Sequence, residues 1–219
     1  HDIQGEILSS EFYEIRAGVK VGESVPLGIH DYRLRTPQGS HVGVFHVGSL
    51  PQQVEVEPND DLGKAQVISI PSLTDGFMEA EEYDFFRFHA QAGQTLILDL
   101  VAARTASSLD ATLVILDHRG NELDYSDDYY IFKDPHLTFT VKQEGEYFVH
   151  VMAPRAVPFR PPTSGSYRLV IGEVPLMRKV LPVGARRGRT AEFELHGVNL
   201  ANVSKIVLGD SLVVGEVLE

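Results

Sequence analysis

The sequence predicts an all-β protein built around an antiparallel β-sandwich of jelly-roll type. Apolar and polar residues alternate over many short segments, and no amphipathic helical pattern is longer than a turn or two. Short strands at regular spacing with frequent turns are typical of sandwiches. Turn signals separate the segments at Ala92-Gly93, Arg119-Gly120-Asn121, Glu144-Gly145 and Ser164-Gly165.

The alternation is that of strands with one buried face. In one clear case, Tyr147, Val149 and Val151 alternate with Phe148 and His150. The same period of two marks residues 32–35, 137–141, 167–171 and 193–195. Residues 95–100 and 111–116 are apolar on both faces, which predicts central strands.

Composition excludes several classes of function. The 219 residues carry a formal net charge of −12, so a nucleic acid backbone would be repelled. The chain has no cysteine, which excludes disulfides, zinc–thiolate sites and thiol catalysis. No apolar run approaches the roughly 18–20 residues that cross a bilayer, so no membrane span is expected. The abundant carboxylates are, however, the oxygen ligands that calcium prefers.

Pattern and composition divide the chain into three segments. Residues 1–50 hold about four short strands. Residues 51–174 form the main domain, whose about eight strands are expected in residues 62–174. Residues 51–61 are an acidic, proline-bearing connector at the start of that domain. Residues 175–219 hold about three more strands. A terminal segment of this length is too small to form a stable sandwich alone, so both ends are expected to be incomplete.

The central segment resembles the bacterial pre-peptidase C-terminal (PPC) domain. The resemblance rests on a series of motifs spread over about 120 residues, whose order and spacing are specific only when taken together. They are residues 55–60 (EVEPND), 83–88 (YDFFRF), 92–94 (AGQ), 108–111 (SLDA), 127–128 (DD), 144–147 (EGEY) and 165–169 (GSYRL). Such domains are accessory β-sandwiches of secreted proteases and large surface proteins, and relatives in bacterial collagenases bind collagen and calcium.

The two ends resemble parts of Ig-like repeats of the IPT/TIG type, which flank PPC domains in large planctomycete-type surface proteins. Residues 26–34 with 36–39 look like the second half of such a repeat, and residues 180–188 with 196–200 look like the first half. The resemblance predicts Ig-like β segments in which late strands lie at residues 1–50 and early strands at 175–219. A half of this kind leaves strand edges unpaired, and unpaired edges template pairing with another chain. The halves are therefore expected either to close on each other within one chain or to complete a neighbouring molecule, giving a homo-oligomer or filament.

The acidic connector is the best candidate for a metal site. In an extended strand Glu55, Glu57 and Asn59 point to the same side, with about 7 Å between successive positions. Asp60 and Asp61 add carboxylates where the chain turns. Calcium takes six to eight oxygens and tolerates irregular geometry, so the segment suits calcium better than magnesium. A solvated acidic linker is the alternative.

The resemblance also implies further ligands for this calcium site. In calcium-binding relatives, acids near the strand with the Asp-Phe-Phe motif complete the metal's shell. Glu81, Glu82 and Asp84 occupy those positions here. Asp124, Asp127 and Asp128 form a second acidic cluster, for which an exposed turn is the favoured interpretation.

Tyr125, Tyr129 and Tyr130 lie beside this second cluster and are candidates for ligand binding. Exposed aromatic rings bind sugars and fibrous proteins, but the same rings can also pack under a loop. The sequence contains neither His-Glu-x-x-His nor Gly-x-Ser-x-Gly, and no other catalytic constellation is evident. A pair of glycosidase carboxylates is the alternative that sequence leaves open.

These observations predict a non-catalytic, calcium-stabilised structural or adhesive module of a secreted or cell-surface protein. The alternative is a module accessory to a secreted enzyme, with a collagen-like protein or a polysaccharide as its extracellular ligand.

Overall fold

The computed structural model describes residues 3–129, 133–153, 163–204, 206–208 and 213–215. The chain divides into two compact units, His1–Ser49 and Leu50–Glu219. In the first unit, two antiparallel hairpins form separate two-stranded sheets. Their strands are β1 (Ile3–Ser10), β2 (Ile15–Val21), β3 (Gly28–Thr36) and β4 (Gly39–Val47).

Ten strands of the second unit form two five-stranded sheets. They are β5 (Gln52–Val54), β6 (Gln66–Val67), β7 (Ser72–Met78), β8 (Tyr83–Ala90), β9 (Thr95–Val101), β10 (Thr112–Leu116), β11 (Glu122–Ser126), β12 (His136–Thr140), β13 (Gly145–Met152) and β14 (Gly165–Gly172). The strand orders are β11-β10-β13-β8-β6 and β12-β9-β14-β7-β5. Neighbours are antiparallel, except that β5 runs parallel to β7 and β6 parallel to β8.

The inward faces of the two sheets pack together and form the main core. Phe86 of β8 and Val149 and Val151 of β13 are fully buried there, together with Leu169 and Ile171 of β14. The buried faces of β13 and β14 are those that the alternation predicts, because side chains of a strand point alternately to its two sides. The expectation of an all-β sandwich is confirmed.

The two strands that are apolar on both faces are central. β9 lies between β12 and β14, and β10 lies between β11 and β13, as predicted. On the outer face of the sheet that contains β10 and β13, a smaller buried cluster is formed by Val114, Leu116 and Phe148. Ala65 packs on that cluster, which shows how a short segment before β6 covers part of the sheet.

Four further strands follow the sandwich, as two hairpins that each form their own sheet: β15 (Leu176–Leu181) with β16 (Glu194–Val198), and β17 (Ile206–Leu208) with β18 (Val213–Gly215). Polar contacts tie the first of these hairpins to the sandwich. The Asn199 amide donates to the carbonyls of Thr95 (2.8 Å) and Val174 (3.1 Å), and Arg178 donates to the Thr138 hydroxyl at 2.9 Å. The sequence predicts fewer strands than are present, because β6 and β17 are too short to show alternation.

Helix is nearly absent from the described part of the chain, where one 3-10 turn spans Ala103–Thr105. Within these residues no helix is long and apolar enough to span a membrane.

Candidate metal centre

Three carboxylates converge where the acidic connector meets the sandwich. The chain continues past β5 in the same extended register, because the Glu55 N–H donates to the Asp75 carbonyl of β7 at 2.9 Å. Glu55, Glu57 and Asp84 each offer an oxygen, and these oxygens lie within 4.8 Å of one another. We call Glu55, Glu57, Asp84 and the adjacent Asn59 the acidic site.

Asn59 holds the connector in the acidic site. Its side chain is fully buried, and its Nδ2 donates to Glu55 Oε1 at 3.0 Å. Its backbone N–H donates to Glu57 Oε2 at 3.0 Å, and its carbonyl accepts from the Phe85 N–H at 2.9 Å. One residue thus connects both connector glutamates to β8.

Tyr167 of β14 closes the acidic site. It belongs to the same sheet as β5 and to the sheet opposite that of Asp84. Its hydroxyl oxygen lies 2.6 Å from Asp84 Oδ2 and 2.9 Å from Glu55 Oε1. A hydroxyl carries one hydrogen and can donate fully to one of these oxygens, so the second contact requires a proton on one of the acids.

The electrostatics agree with this geometry. The pKa of Asp84 is raised to about 8, mainly by burial and in addition by the charges of Glu55 and Glu82, against the lowering effect of the Tyr167 hydrogen bond. Burial is also the largest cause that raises the pKa of Glu57, followed by the neighbouring carboxylates of Glu55, Glu82 and Asp60. Burial and the adjacent acids raise the pKa of Tyr167 well above its usual value. Negative charge is concentrated here at a cost that a bound cation would relieve.

Two buried oxygens of the site have no hydrogen-bond partner: Asn59 Oδ1 and Asp84 Oδ1. Unsatisfied buried acceptors are uncommon in native structures and often mark an ion or water. Carboxylate and amide oxygens with irregular geometry fit calcium, whereas zinc prefers nitrogen and sulfur. The residues present therefore fit a calcium ion.

Three of the predicted ligands lie at the margin of the acidic site. The Asp60 carboxylate accepts from Lys64 Nζ at 2.9 Å. Glu82 Oε2 accepts from the Glu79 N–H at 2.7 Å, although its charge still acts on Asp84 and Glu57. Glu81 is exposed and adopts a positive φ of 67° in the turn before β8.

Sequence reasoning missed the role of Tyr167. Alternation along residues 167–171 predicts its burial, but a pattern within one strand cannot show which acids its hydroxyl meets. Gly76 was missed for the same reason. A Cβ at Gly76 would lie 2.7 Å from Glu55 Oε2 and would overlap the Tyr167 ring.

The second acidic cluster differs from its prediction in membership. Oxygens of Asp110, Asp127 and Asp128 lie within 4.8 Å of one another, and Lys133 Nζ lies 4.0 Å from Asp110. Asp127 accepts from the Thr112 hydroxyl at 2.9 Å. Asp124 instead accepts from the Tyr125 N–H at 2.9 Å, within its own strand. These contacts describe a polar surface cluster.

The tyrosines proposed for ligand binding have different surroundings. Tyr125 is 61% exposed. The Tyr129 ring packs on His136 with 4.7 Å between centroids. Tyr130 lies outside the described residues.

A groove lies on the outer face of the sheet that contains β8 and β13. It has a volume of about 850 Å³ and is lined by Asp60, Asp61, Leu62, Gly63, Tyr83, Phe85, His150, Met152 and Ala153. We call it the aromatic groove. Because side chains alternate along β8, Asp84 points to the acidic site while Tyr83 and Phe85 line this groove.

Comparison with known proteins identifies the central part of the chain. Residues 82–153 match the model of the bacterial pre-peptidase C-terminal domain. The prediction of a PPC domain is thereby confirmed for this segment, whereas the Ig-like character of the flanks stays a prediction. The matched domain is a non-catalytic accessory domain.

Individual relatives share only part of their length or sequence with this chain. A probable subtilase-type serine protease of Deinococcus radiodurans is 39% identical over 100 residues, which are 43% of this chain and 14% of the protease. The PPC domain of a Bacillus anthracis collagenase is 14% identical with a TM-score of 0.38, covering 57% of this chain and 99% of that domain. Aeromonas hydrophila PliG, a periplasmic inhibitor of g-type lysozyme, is 16% identical with a TM-score of 0.35, covering 49% of this chain and 98% of its own.

Proposed function

We propose that the chain is a non-catalytic, calcium-stabilised structural module of a secreted or cell-surface protein. The observation that carries the proposal is the acidic site, where three carboxylates converge and two buried oxygens, on Asn59 and Asp84, lack a partner. An acidic cluster alone would not suffice, because such clusters are common on surfaces. The unpartnered buried oxygens are what point to an ion.

Glu55, Glu57, Asn59 and Asp84 would hold the calcium. The ion would supply positive charge to this group of closely spaced carboxylates. Because Glu55 and Glu57 belong to the connector and Asp84 to β8, shared coordination would fasten the connector to the sandwich. This would stiffen the junction at which the main domain begins.

The comparisons support an accessory role outside the cell. The probable subtilase-type protease that resembles this chain belongs to a class of hydrolases, and the segment matched here is of the accessory type. Absence of cysteine is compatible with any compartment, so localisation rests on this similarity. Attachment to an enzyme would make the module an accessory rather than a catalyst.

A second function, adhesion by self-association, is supported by the terminal hairpins. Each hairpin forms its own sheet in the described structure, and apolar side chains such as Val19, Tyr32 and Met177 remain exposed on them. Two-stranded sheets are marginal in water unless a further layer covers them. We propose complementation between the Ig-like halves of neighbouring molecules as that layer.

The proposed calcium site is tested by isothermal titration calorimetry on metal-stripped protein, with calcium as the titrant. We expect one binding event that Glu57→Gln weakens at least about tenfold, because the ion loses one charged ligand. Glu144→Gln removes the same charge at an exposed position beside His89 and should leave calcium binding unchanged.

Absence of a binding event in the unaltered protein would contradict the proposal. Equal weakening by both variants would also contradict it, because that result would indicate general charge effects rather than coordination.

A further inference from the structure

The floor of the aromatic groove consists of rings in contact. Phe85 and His150 stack with centroids 4.2 Å apart and an interplanar angle of 10°. Tyr83 lies against the same imidazole at 5.4 Å. Met152 follows on β13 and extends the apolar lining. Aromatic rings of this kind bind apolar stems, and their faces attract cations rather than anions.

The imidazole in this floor is uncharged at neutral pH. Burial lowers the pKa of His150 to about 4, so the ring takes no proton above that range. Among the described residues that line the groove, none is a lysine or an arginine. The floor therefore offers no positive charge that would repel a cation.

The rim of the groove is anionic. Asp60 and Asp61 line one end, and Lys64 Nζ lies 2.9 Å from Asp60 and 3.3 Å from Asp61. The ammonium of Lys64 is about half exposed, so water screens this pair and the bond is weak. The contact nevertheless shows that the two carboxylates are placed to hold an ammonium group.

We propose that the aromatic groove binds a lysine or arginine side chain of an extracellular protein. The aliphatic stem would lie along Met152 and the rings, and the cationic end would meet Asp60 and Asp61 beside or in place of Lys64. Lysine and arginine bury their stems on apolar surfaces while their charged ends stay at the polar edge. Both cations also bind carboxylates through charge-assisted hydrogen bonds.

The charge of the domain agrees with a cationic ligand. Residues 50–174 carry 20 acidic and nine basic side chains, so this segment has a net charge of −11. Such a surface attracts cationic partners and speeds their encounter, in a manner that salt weakens. A neutral polysaccharide would use the rings but would gain nothing from the rim or from the overall charge.

The test uses the full chain and a fluorescent peptide, acetyl-(Gly-Lys)₄-amide, with binding followed by fluorescence anisotropy at physiological salt. We expect binding that falls about tenfold when the lysines are acetylated, since acetylation removes the charge and leaves the stem. Tyr83→Leu and Asp61→Asn should each weaken binding about threefold through loss of a ring and of a rim charge. The Asp61→Asn change keeps an oxygen that can accept the turn hydrogen bonds from Gly63 and Lys64.

Matched controls separate the groove from general attraction to an acidic protein. Phe77→Leu removes an exposed ring from the other sheet of the sandwich, and Asp128→Asn removes a charge equal to that of Asp61. Neither residue lines the groove. The inference is wrong if these controls weaken binding as much as the groove variants. It is equally wrong if a neutral N-acetylglucosamine oligomer, and not the lysine peptide, binds in a manner that depends on Tyr83.

The titrations are run both with calcium and with EGTA, because the inference does not depend on the metal. If the protein binds the peptide but does not bind calcium, the proposed calcium site alone is wrong. If the protein binds calcium but does not bind the peptide, the proposed binding in the aromatic groove alone is wrong.

Discussion

The hydroxyl oxygen of Tyr167 lies 2.6 Å from a carboxylate oxygen of Asp84, although the two residues belong to different sheets of the sandwich. Tyr167 is 3% exposed and belongs to the main core, and Asp84 is fully buried, so this polar contact is shielded from solvent. A group that binds at Asp84 therefore acts on the packing of both sheets. This relationship predicts that metal binding and global stability are coupled.

Removal of calcium should lower the melting temperature of metal-loaded protein. A ligand that binds only the native state stabilises it by about 2.7 kcal/mol at a hundredfold excess over Kd. The measurement is thermal unfolding with calcium and with excess EGTA. Glu57→Gln should reproduce most of the chelator effect without chelator, and identical melting curves for protein verified as metal-loaded would refute the site.

Gly76→Ala should damage the acidic site without changing its charge. The added methyl would overlap the Tyr167 ring and lie 2.7 Å from Glu55 Oε2. Overpacking of this kind costs about 1–3 kcal/mol. We expect lower stability and weaker calcium binding, measured by urea unfolding and calorimetry.

The control for this change is Gly184→Ala, since nothing lies within 4 Å of a Cβ at that position. Similar losses in both variants would show that the effect is not specific to the acidic site.

Metal-free protein should gain stability from Asp84 as the pH falls from about 8 towards 4. The folded pKa of Asp84, raised to about 8, exceeds the value of about 3.9 in the unfolded chain, so only the folded state holds this proton between the two values. The unfolding free energy in EGTA should therefore decrease as the pH rises through this window. Asp84→Asn should remove this contribution, and an unchanged pH profile in the variant would contradict the assignment.

His150 should contribute the opposite dependence. Its folded pKa of about 4 lies below the unfolded value of about 6.5, so the unfolded chain takes up a proton first as the pH falls. The protein should lose about 2–3 kcal/mol of stability between pH 6.5 and 4, with allowance for the partly exposed ring. His150→Phe keeps a ring but cannot titrate, and it should flatten this slope.

The two pH effects overlap below pH 6.5, so the His150 measurement belongs in an Asp84→Asn background. If His150→Phe leaves the acid slope of that background unchanged, the imidazole is not the group responsible.

Complementation between terminal halves predicts self-association that depends on protein concentration. Light scattering coupled to size exclusion should detect species larger than the monomer. Val19→Lys, on the apolar face of the first hairpin and 55% exposed, should reduce association, whereas Gln4→Lys on the opposite face should not. A strictly monomeric chain at high concentration would exclude complementation between molecules.

The sequence by itself determined which faces of the strands are buried and where the acidic connector lies. Val149 and Leu169 are buried as their alternation predicts. Glu55, Glu57 and Asn59 do not lie on one extended strand as predicted, because β5 ends at Val54 and the chain bends at Glu57, and this bend brings Asn59 to Glu55. The burial pattern is the part that follows from sequence alone. These features are local, because the pleat of a strand sends alternate side chains to alternate sides whatever lies beyond it.

Only the tertiary structure decided which distant residues complete the acidic site and where an aromatic groove forms. Tyr167 reaches Glu55 across 112 positions in the chain, and Gly76 leaves the room that this contact needs. The Tyr83 and Phe85 rings meet His150 because β8 pairs with β13, whereas Tyr129 is drawn to His136 instead. Strand order in a sheet follows from the packing of the whole domain, so contacts between strands cannot be read from the period of any single strand.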